Sequence, residues 1–424
     1  LHYQIHRGIG IHQSKANKKG VPLKISCFVG GHPAHTLSAV MPLPEGLSEL
    51  TFAGMLAGRR FRYSYEDGFC ISNDADFIIT GEVIGDETKP EGPFGDHLGY
   101  YSLTHPFPLM RVHKVYARKN AIWNFTVVGR PPQEDTAFGA LIHELTGDAI
   151  KQEIPGVKEV HAVDAAGVHP LLFAVGSERY TPYLKVKQPA EILTQANRIL
   201  GTGQLSLAKF LFITAEEQQP VDSHKEADFL QYILERIDMS RDVHFYTNTT
   251  IDTLDYSGTG LNTGSKVVFA ACGDIKRKLC TDIPKGFYDL QYFEKPRLVM
   301  PGVIALQAGA FNGYEATQVA MHVLGDMLMI QEGAAALQHI PMIIVCNDSE
   351  FMAANTNNFL WATFTRCNPS HDIYGVDSFT LHKHWGCRGP LIIDARIKPH
   401  HAPPLIQDET ASKRAKEILS KYNL

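Results

Sequence analysis

Paired cysteines, long apolar runs and a surplus of charge of either sign are all missing from this 424-residue chain, and each absence removes a class of protein. The seven cysteines (Cys27, Cys70, Cys272, Cys280, Cys346, Cys367 and Cys387) are odd in number, scattered, and never in a CxxC pair. Neither a disulfide framework nor a cysteine zinc site is expected, and a reducing cytoplasm is the expected setting. No apolar stretch approaches the ~18 residues that signal a membrane span, and no secretory leader is expected. A net charge of −5 with a pI near 6.5 argues against the basic stripe of a nucleic-acid binder. What is left is ordinary globular composition, 44% apolar and 20% charged, at a length that suits roughly two to four domains.

From Leu1 to about Arg130, short apolar runs alternate with turn signals: VPLKISCFVGG, GFCISN, DADFIITGEVIG, PLMRVHKVYARKN and AIWNFTVVGRPP. Alternation in DFIITGEVIG and IWNFTVV predicts antiparallel strands, so residues 1–130 read as a β-rich barrel or sandwich. One helix is expected inside it, LSELTFAGMLAG, entered after Pro44-Glu45-Gly46 and stopped at Gly58. Past Pro131-Pro132, the period of QEDTAFGALIHELTGDAIKQEIPG predicts a linking helix of about five turns within 131–154. LLFAVG, KFLFITAEE and VVFAACG then alternate with helical stretches, the rhythm of an α/β layer.

An internal repeat follows. Phe229-Leu230, Arg236, Asp238, Ser240, Asp242 and Val243 recur at a constant offset of 130 as Phe359-Leu360, Arg366, Asn368, Ser370, Asp372 and Ile373. Apolar strands flank both copies, which predicts two related α/β units, 155–285 and 286–424, the second ending in a charged helical tail. The expected fold class is therefore α+β: a β-rich first domain followed by a duplicated pair of α/β units.

The chemistry concentrates in PEGPFGDHLGYYS, Pro90 to Ser102. Glu91 and Asp96 stand five residues apart in a backbone that Gly92, Pro93 and Gly95 keep from being helical, and LGYYS reads as the start of a strand. Two carboxylates held close in a partly dry pocket cannot both ionise easily, so one becomes a proton donor near neutrality. Taken as a bare acidic loop, the same residues are two unrelated surface acids. The whole string resembles the signature loop of the UbiD family of prenylated-FMN-dependent (de)carboxylases. That resemblance implies that Glu91 belongs to a Glu-Arg-acid triad, that Asp96 is the proton donor, and that the first domain is an antiparallel split β-barrel holding a flavin.

His2 and His6 share a face if their segment is a helix, and His2, Gln4 and His6 share one if it is a strand; unsupported, the pattern is commonly surface histidine. HYQIHRG resembles the family segment that meets metal and cofactor. It implies His6 as a metal ligand and places His2, Tyr3, Gln4, Arg7 and Gly8 against the flavin. Glu49, in LSELTFAG, matches the second metal ligand, although by itself it reads as an exposed first-turn glutamate favoured by the helix dipole. Such a ligand set bridging to a phosphate suits Mn²⁺ or Mg²⁺ better than zinc, and the family adds K⁺ as a further candidate. Lys209, at the head of KFLFITAEE, matches a lysine that reaches the cofactor phosphate; by itself it reads as a solvated strand-entry lysine. The second copy has His339 or Pro341 there, so only the first could make that contact. GTGLNTGSK lacks phosphate-loop spacing, and His382, His384, His400 and His401 read as surface histidines.

The family's arginine and metal-binding asparagine belong to a run just ahead of the segment met here at Leu1, so an upstream segment is expected to be missing from this sequence. The resemblance implies a carboxy-lyase: reversible non-oxidative decarboxylation of an aromatic, hydroxybenzoate-like or α,β-unsaturated acid on prenylated FMN, in ubiquinone or menaquinone biosynthesis. It further implies a flavin prenyltransferase as cofactor supplier and a cytoplasmic homo-oligomer, dimer or hexamer. The competing reading is a non-catalytic flavin-binding protein or partner subunit of a multi-subunit carboxylase.

Overall fold

The structure, a computed structural model, describes residues 1–4, 8–41, 43, 46–216 and 220–422. Among the described residues there are five sheets, two of them two-stranded hairpins, and the three larger ones organise the fold. The first is antiparallel, with the 15-residue strand Phe77–Glu91 between Leu23–Val29 and His105–Ala117. Leu23 lies opposite Val83, and at the far end of the long strand Glu91 lies opposite His105. The expected helix forms over Glu49–Leu56, capped by the Ser48 side chain, and its chain leaves through Gly58 at φ +61°.

Among the described residues this sheet is open and no closed barrel forms. The strand expected in AIWNFTVV does not form: residues 121–128 have no regular structure, and Ile122, Trp123, Phe125 and Val127 are exposed. LGYYS is likewise no strand. Isolated bridges of Gly95 to Tyr101 and Tyr100 to Pro404 fix it, and regular pairing resumes at His105.

After the linking helix Glu134–Glu153 come two five-stranded sheets. In spatial order, the first contains Glu159–Ala162, Leu171–Gly176, Phe210–Ala215, Gly264–Ala271 and Val243–Thr249; the second contains Phe293–Met300, Val303–Ala308, Met342–Cys346, Leu391–Asp394 and Ile373–Gly375. In each, three central strands are parallel and both edges antiparallel. The registers of the central strands correspond. Leu171, Phe210 and Val267 lie in one row, as do Val303, Met342 and Leu391; Phe269 faces Val243 as Ile393 faces Ile373. The repeated acid also does the same job twice, Asp242 accepting from the Asp238 N–H at 2.9 Å and Asp372 from the Asn368 N–H at 2.7 Å. In this register Pro341 corresponds to Lys209.

The units share one core. Helix Thr356–Arg366 of the second places Phe364 edge-on to Phe210 and near Phe212 of the first, with ring centroids 4.8 and 5.9 Å apart. All three rings are fully buried. Central strands of both sheets are buried on both faces, which explains why they read as unbroken apolar runs. All seven cysteines are free, and among the described residues no helix is long and apolar enough to cross a membrane.

Candidate functional site

Glu91 closes the central strand of the first sheet, and the chain then turns sharply at Gly92, φ +107°. A Cβ there would lie 2.6 Å from the Leu103 carbonyl oxygen, so the turn requires glycine. The Glu91 carboxylate lies 3.0 Å from the Leu1 nitrogen and 3.3 Å from His2 Nδ1. Burial lowers the proton affinity of His2 despite the nearby Glu91 charge.

Asp96 is turned inward by two backbone bonds, from its own N–H to the Tyr100 carbonyl and from the Gly99 N–H to its carbonyl, and only 4% of it is exposed. Its side chain accepts from the His97 and Leu98 N–H groups and meets His97 Nδ1 at 2.6 Å. The His97 ring lies 5.8 Å from that of His169, whose Nδ1 is 2.6 Å from Asp252 Oδ2. Asp252 also accepts from the Leu254 N–H at 2.8 Å. Two acids and two imidazoles thus form a row: Asp96, His97, His169, Asp252. Burial by itself would pull His97 down, but the Asp96 charge and hydrogen bond, with Asp252 beyond, reverse this and push it up to about 9. Burial opposes ionisation of Asp252 too, yet the His169 charge and hydrogen bond, helped by His97, hold it far below the ordinary carboxylate range.

The loop is clamped from behind by the second α/β unit. Trp361 donates its indole N–H to the Leu98 carbonyl at 2.7 Å and stacks on Tyr100. Arg366 Nε donates to the Tyr100 hydroxyl at 3.1 Å, and the Tyr101 N–H bonds the Pro403 carbonyl. Elements distant in sequence therefore hold the acid loop rigid, as a site requiring fixed proton geometry demands.

Each of the two acids faces a histidine, Glu91 facing His2 and Asp96 facing His97. His97 belongs to the acid motif, yet its role is not carried by the acid spacing, and His169 and Asp252 lie in segments without any motif. A buried acid next to a histidine in a glycine-rich turn is the signal that points to the pair.

The other expected residues divide. His6 and Arg7 lie outside the described residues. Gly8 opens helix Gly8–Lys18, and Gln4 precedes the undescribed stretch half-buried. Glu49 is exposed in the first turn of its helix. Lys209 is only 1% exposed and sits inside the junction of the α/β units, its Nζ 2.8 Å from Asp255 Oδ2, 2.6 Å from Ser257 Oγ and 3.0 Å from the Cys367 carbonyl. Three partners use its three donors, so here it is neither a solvated strand-entry lysine nor open to a phosphate. Lys266, from the glycine-rich run, is buried against the Ser206 and Ala208 carbonyls, and burial pulls it down to about 8. His401, expected at the surface, is half-buried, its Nδ1 accepting from the Lys398 N–H. Among the described residues no arginine pairs with Glu91 or Asp96.

The surroundings fit a heteroaromatic cofactor. The His2 ring lies 5.5 Å from that of Phe94 and 4.3 Å from that of Phe107, and His105 stacks on Tyr256. His2 Nε2, the Tyr3 hydroxyl and His105 Nε2 are buried with no hydrogen-bond partner among the described residues. Polar atoms without partners beside aromatic faces suit a flat ligand with polar edges.

Comparison with known proteins gives the class. Residues 1–131 match the 3-octaprenyl-4-hydroxybenzoate carboxy-lyase Rift-related domain, and residues 136–271 match the 3-octaprenyl-4-hydroxybenzoate carboxy-lyase C-terminal domain. A Chlamydia pneumoniae protein, named as one of the subunits of a 4-hydroxybenzoate decarboxylase, is 36% identical over 435 residues, covering 100% of this chain and 68% of that relative. A Chlamydia trachomatis protein is 37% identical, covering 96% of this chain and 67% of its own length. Among solved structures, the vanillic acid decarboxylase of Sedimentibacter hydroxybenzoicus in closed form superposes with a TM-score of 0.55 at 22% identity, over 67% of this chain and 60% of that one, a likeness of fold. The chain belongs to the UbiD family. It spans about two thirds of the length of these curated relatives, and the second α/β unit lies beyond both matched family domains.

Proposed function

We propose that the chain catalyses reversible non-oxidative decarboxylation of an aromatic, hydroxybenzoate-like acid, with α,β-unsaturated acids as the alternative substrate class, using prenylated FMN. The observation that carries this reading is Asp96, buried on a family-matched loop and hydrogen-bonded to a cationic histidine. When bound, the modified flavin supplies the electron sink for the carbon that loses CO₂. His97 stores a proton at the 2.6 Å contact, and Asp96 relays it to that carbon. Glu91, held near His2 on the other side of the Gly92 turn, orients the substrate. In this reading His2, Tyr3, Gln4, Arg7 and Gly8 would line the flavin, and His6 with Glu49 would hold Mn²⁺ or Mg²⁺, with K⁺ a further candidate. Lys209 is assigned instead to the junction of the α/β units. The reading extends to quinone biosynthesis, a cytoplasmic homo-oligomer, a flavin prenyltransferase as supplier, and two α/β units descended from one, which their common register supports.

The test is to co-express the chain with a flavin prenyltransferase and assay CO₂ release from a panel of hydroxybenzoates and cinnamates. Asp96→Asn should retain the flavin spectrum and lose at least about 100-fold in rate. No CO₂ from any of these acids by flavin-loaded protein, or an undiminished rate in the variant, would overturn the reading. The chlamydial relative carries the name of one component of a decarboxylase, which favours one second reading, in which the site works inside a multi-subunit enzyme. Stoichiometric co-purification of a second polypeptide would support it.

A further inference from the structure

On the outer side of the first α/β unit, remote in sequence from the acid loop, three elements bring ligand-type side chains to one point. His143 comes from the linking helix, Glu159 from the edge strand Glu159–Ala162, and His224 from the turn before helix Glu226–Arg236. One ligand atom from each lies within 4.8 Å of the others. His224 Nε2 is 3.2 Å from His143 Nε2 and 3.1 Å from Glu159 Oε1.

We propose that His143, Glu159 and His224 bind a divalent transition-metal ion of the zinc class, at a site separate from the flavin pocket. Ligands about 2.0–2.1 Å from a tetrahedral zinc lie about 3.3–3.4 Å from one another, close to the two separations found. Two neutral imidazoles facing Nε2 to Nε2 can share at most one hydrogen between them, whereas a cation takes both lone pairs. The surroundings supply orienting contacts of the kind metal ligands use. The Ser223 N–H donates to the second oxygen of Glu159 at 3.5 Å, and the His161 ring stacks on that of His224 at 4.1 Å. His161 is itself fixed by a 2.7 Å bond from Nδ1 to the Ser223 carbonyl. His224 is exposed on one side, which leaves an entry path and a fourth position for water.

The consequence is mechanical. Thr136 lies seven residues before His143, on the same helix face, and donates to Asp164 Oδ2 at 2.8 Å. A metal at His143 therefore adds a second fastening, two turns along, between the linking helix and the α/β unit. The ion sets the orientation of the helix that joins the acid-loop domain to the rest of the chain.

The experiment is zinc binding to chelator-treated protein, read by elemental analysis, with Co²⁺ visible absorption as a probe of ligand geometry. Wild type should hold about one equivalent of zinc more than His143→Ala, His224→Ala or Glu159→Gln, and should show tetrahedral-type Co²⁺ bands that each variant loses. Zinc should raise the melting temperature of wild type and leave that of His143→Ala unchanged, while the metal-free proteins show the same circular dichroism. Equal zinc content in wild type and variants, or no Co²⁺ band in wild type, would overturn the proposal. Where an alanine variant fails to fold, His143→Gln gives the same comparison.

Discussion

Replacing His97 with glutamine keeps a polar group beside Asp96 but removes the charge. In the native structure His97 is pushed up to about 9 from 6.5, chiefly because the Asp96 charge and hydrogen bond overcome the burial penalty. At about 1.4 kcal/mol per pH unit, that gap corresponds to about 3 kcal/mol of folding stability. The group is raised on folding, so its contribution is whole below pH 6.5 and lost as the pH climbs through about 9. Urea unfolding followed by tryptophan fluorescence suits the question, because Trp361 bonds the Leu98 carbonyl and stacks on Tyr100 within the same loop contact. Wild type should lose up to about 3 kcal/mol more than His97→Gln between about pH 6 and pH 10, and the variant should already be weaker at the lower pH. Titrating groups remote from His97 are common to both proteins and cancel in the comparison. Parallel pH profiles would refute the Asp96–His97 pairing as the source.

Lys209→Met should destabilise the junction of the α/β units by about 3–5 kcal/mol, because Asp255 is left buried without its cation; a chemical denaturation curve measures it, and lost flavin binding at unchanged stability would instead favour a cofactor role. Phe364→Ala should cost about 3–5 kcal/mol, since its ring is fully buried between the two sheets; an unchanged denaturation midpoint would show that the sheets do not share a core. Gly92→Ala should lower the melting temperature, with roughly 1–3 kcal/mol of strain from a Cβ forced against the Leu103 carbonyl at φ +107°; a melt indistinguishable from wild type would contradict that backbone.

Local patterns are legible wherever one periodicity rules. The Glu49–Leu56 and Glu134–Glu153 helices, the central strands and the 130-residue offset can all be read from residue types, because helix period, burial on both faces and recurrent spacing are properties of short windows. AIWNFTVV shows where this stops. Its alternation suits a strand, but a strand exists only with a partner to accept its hydrogen bonds, and none pairs with it among the described residues. Lys209 makes the same point for chemistry: its position at a strand head is visible in the sequence, whereas its capture by Asp255, Ser257 and Cys367 depends on how two units pack.

Neighbouring residues and fixed offsets were enough to define the kinds of element, the repeat, the acid loop and the family resemblance. Packing in three dimensions alone settled that Asp96 pairs with His97 in a row ending at His169 and Asp252, that the second α/β unit clamps the loop through Trp361 and Arg366, and that His143, Glu159 and His224 converge. One cause underlies all three. Charge interaction, desolvation and metal coordination act over distances of a few ångströms, and between residues far apart in the chain only the packing of whole elements sets those distances.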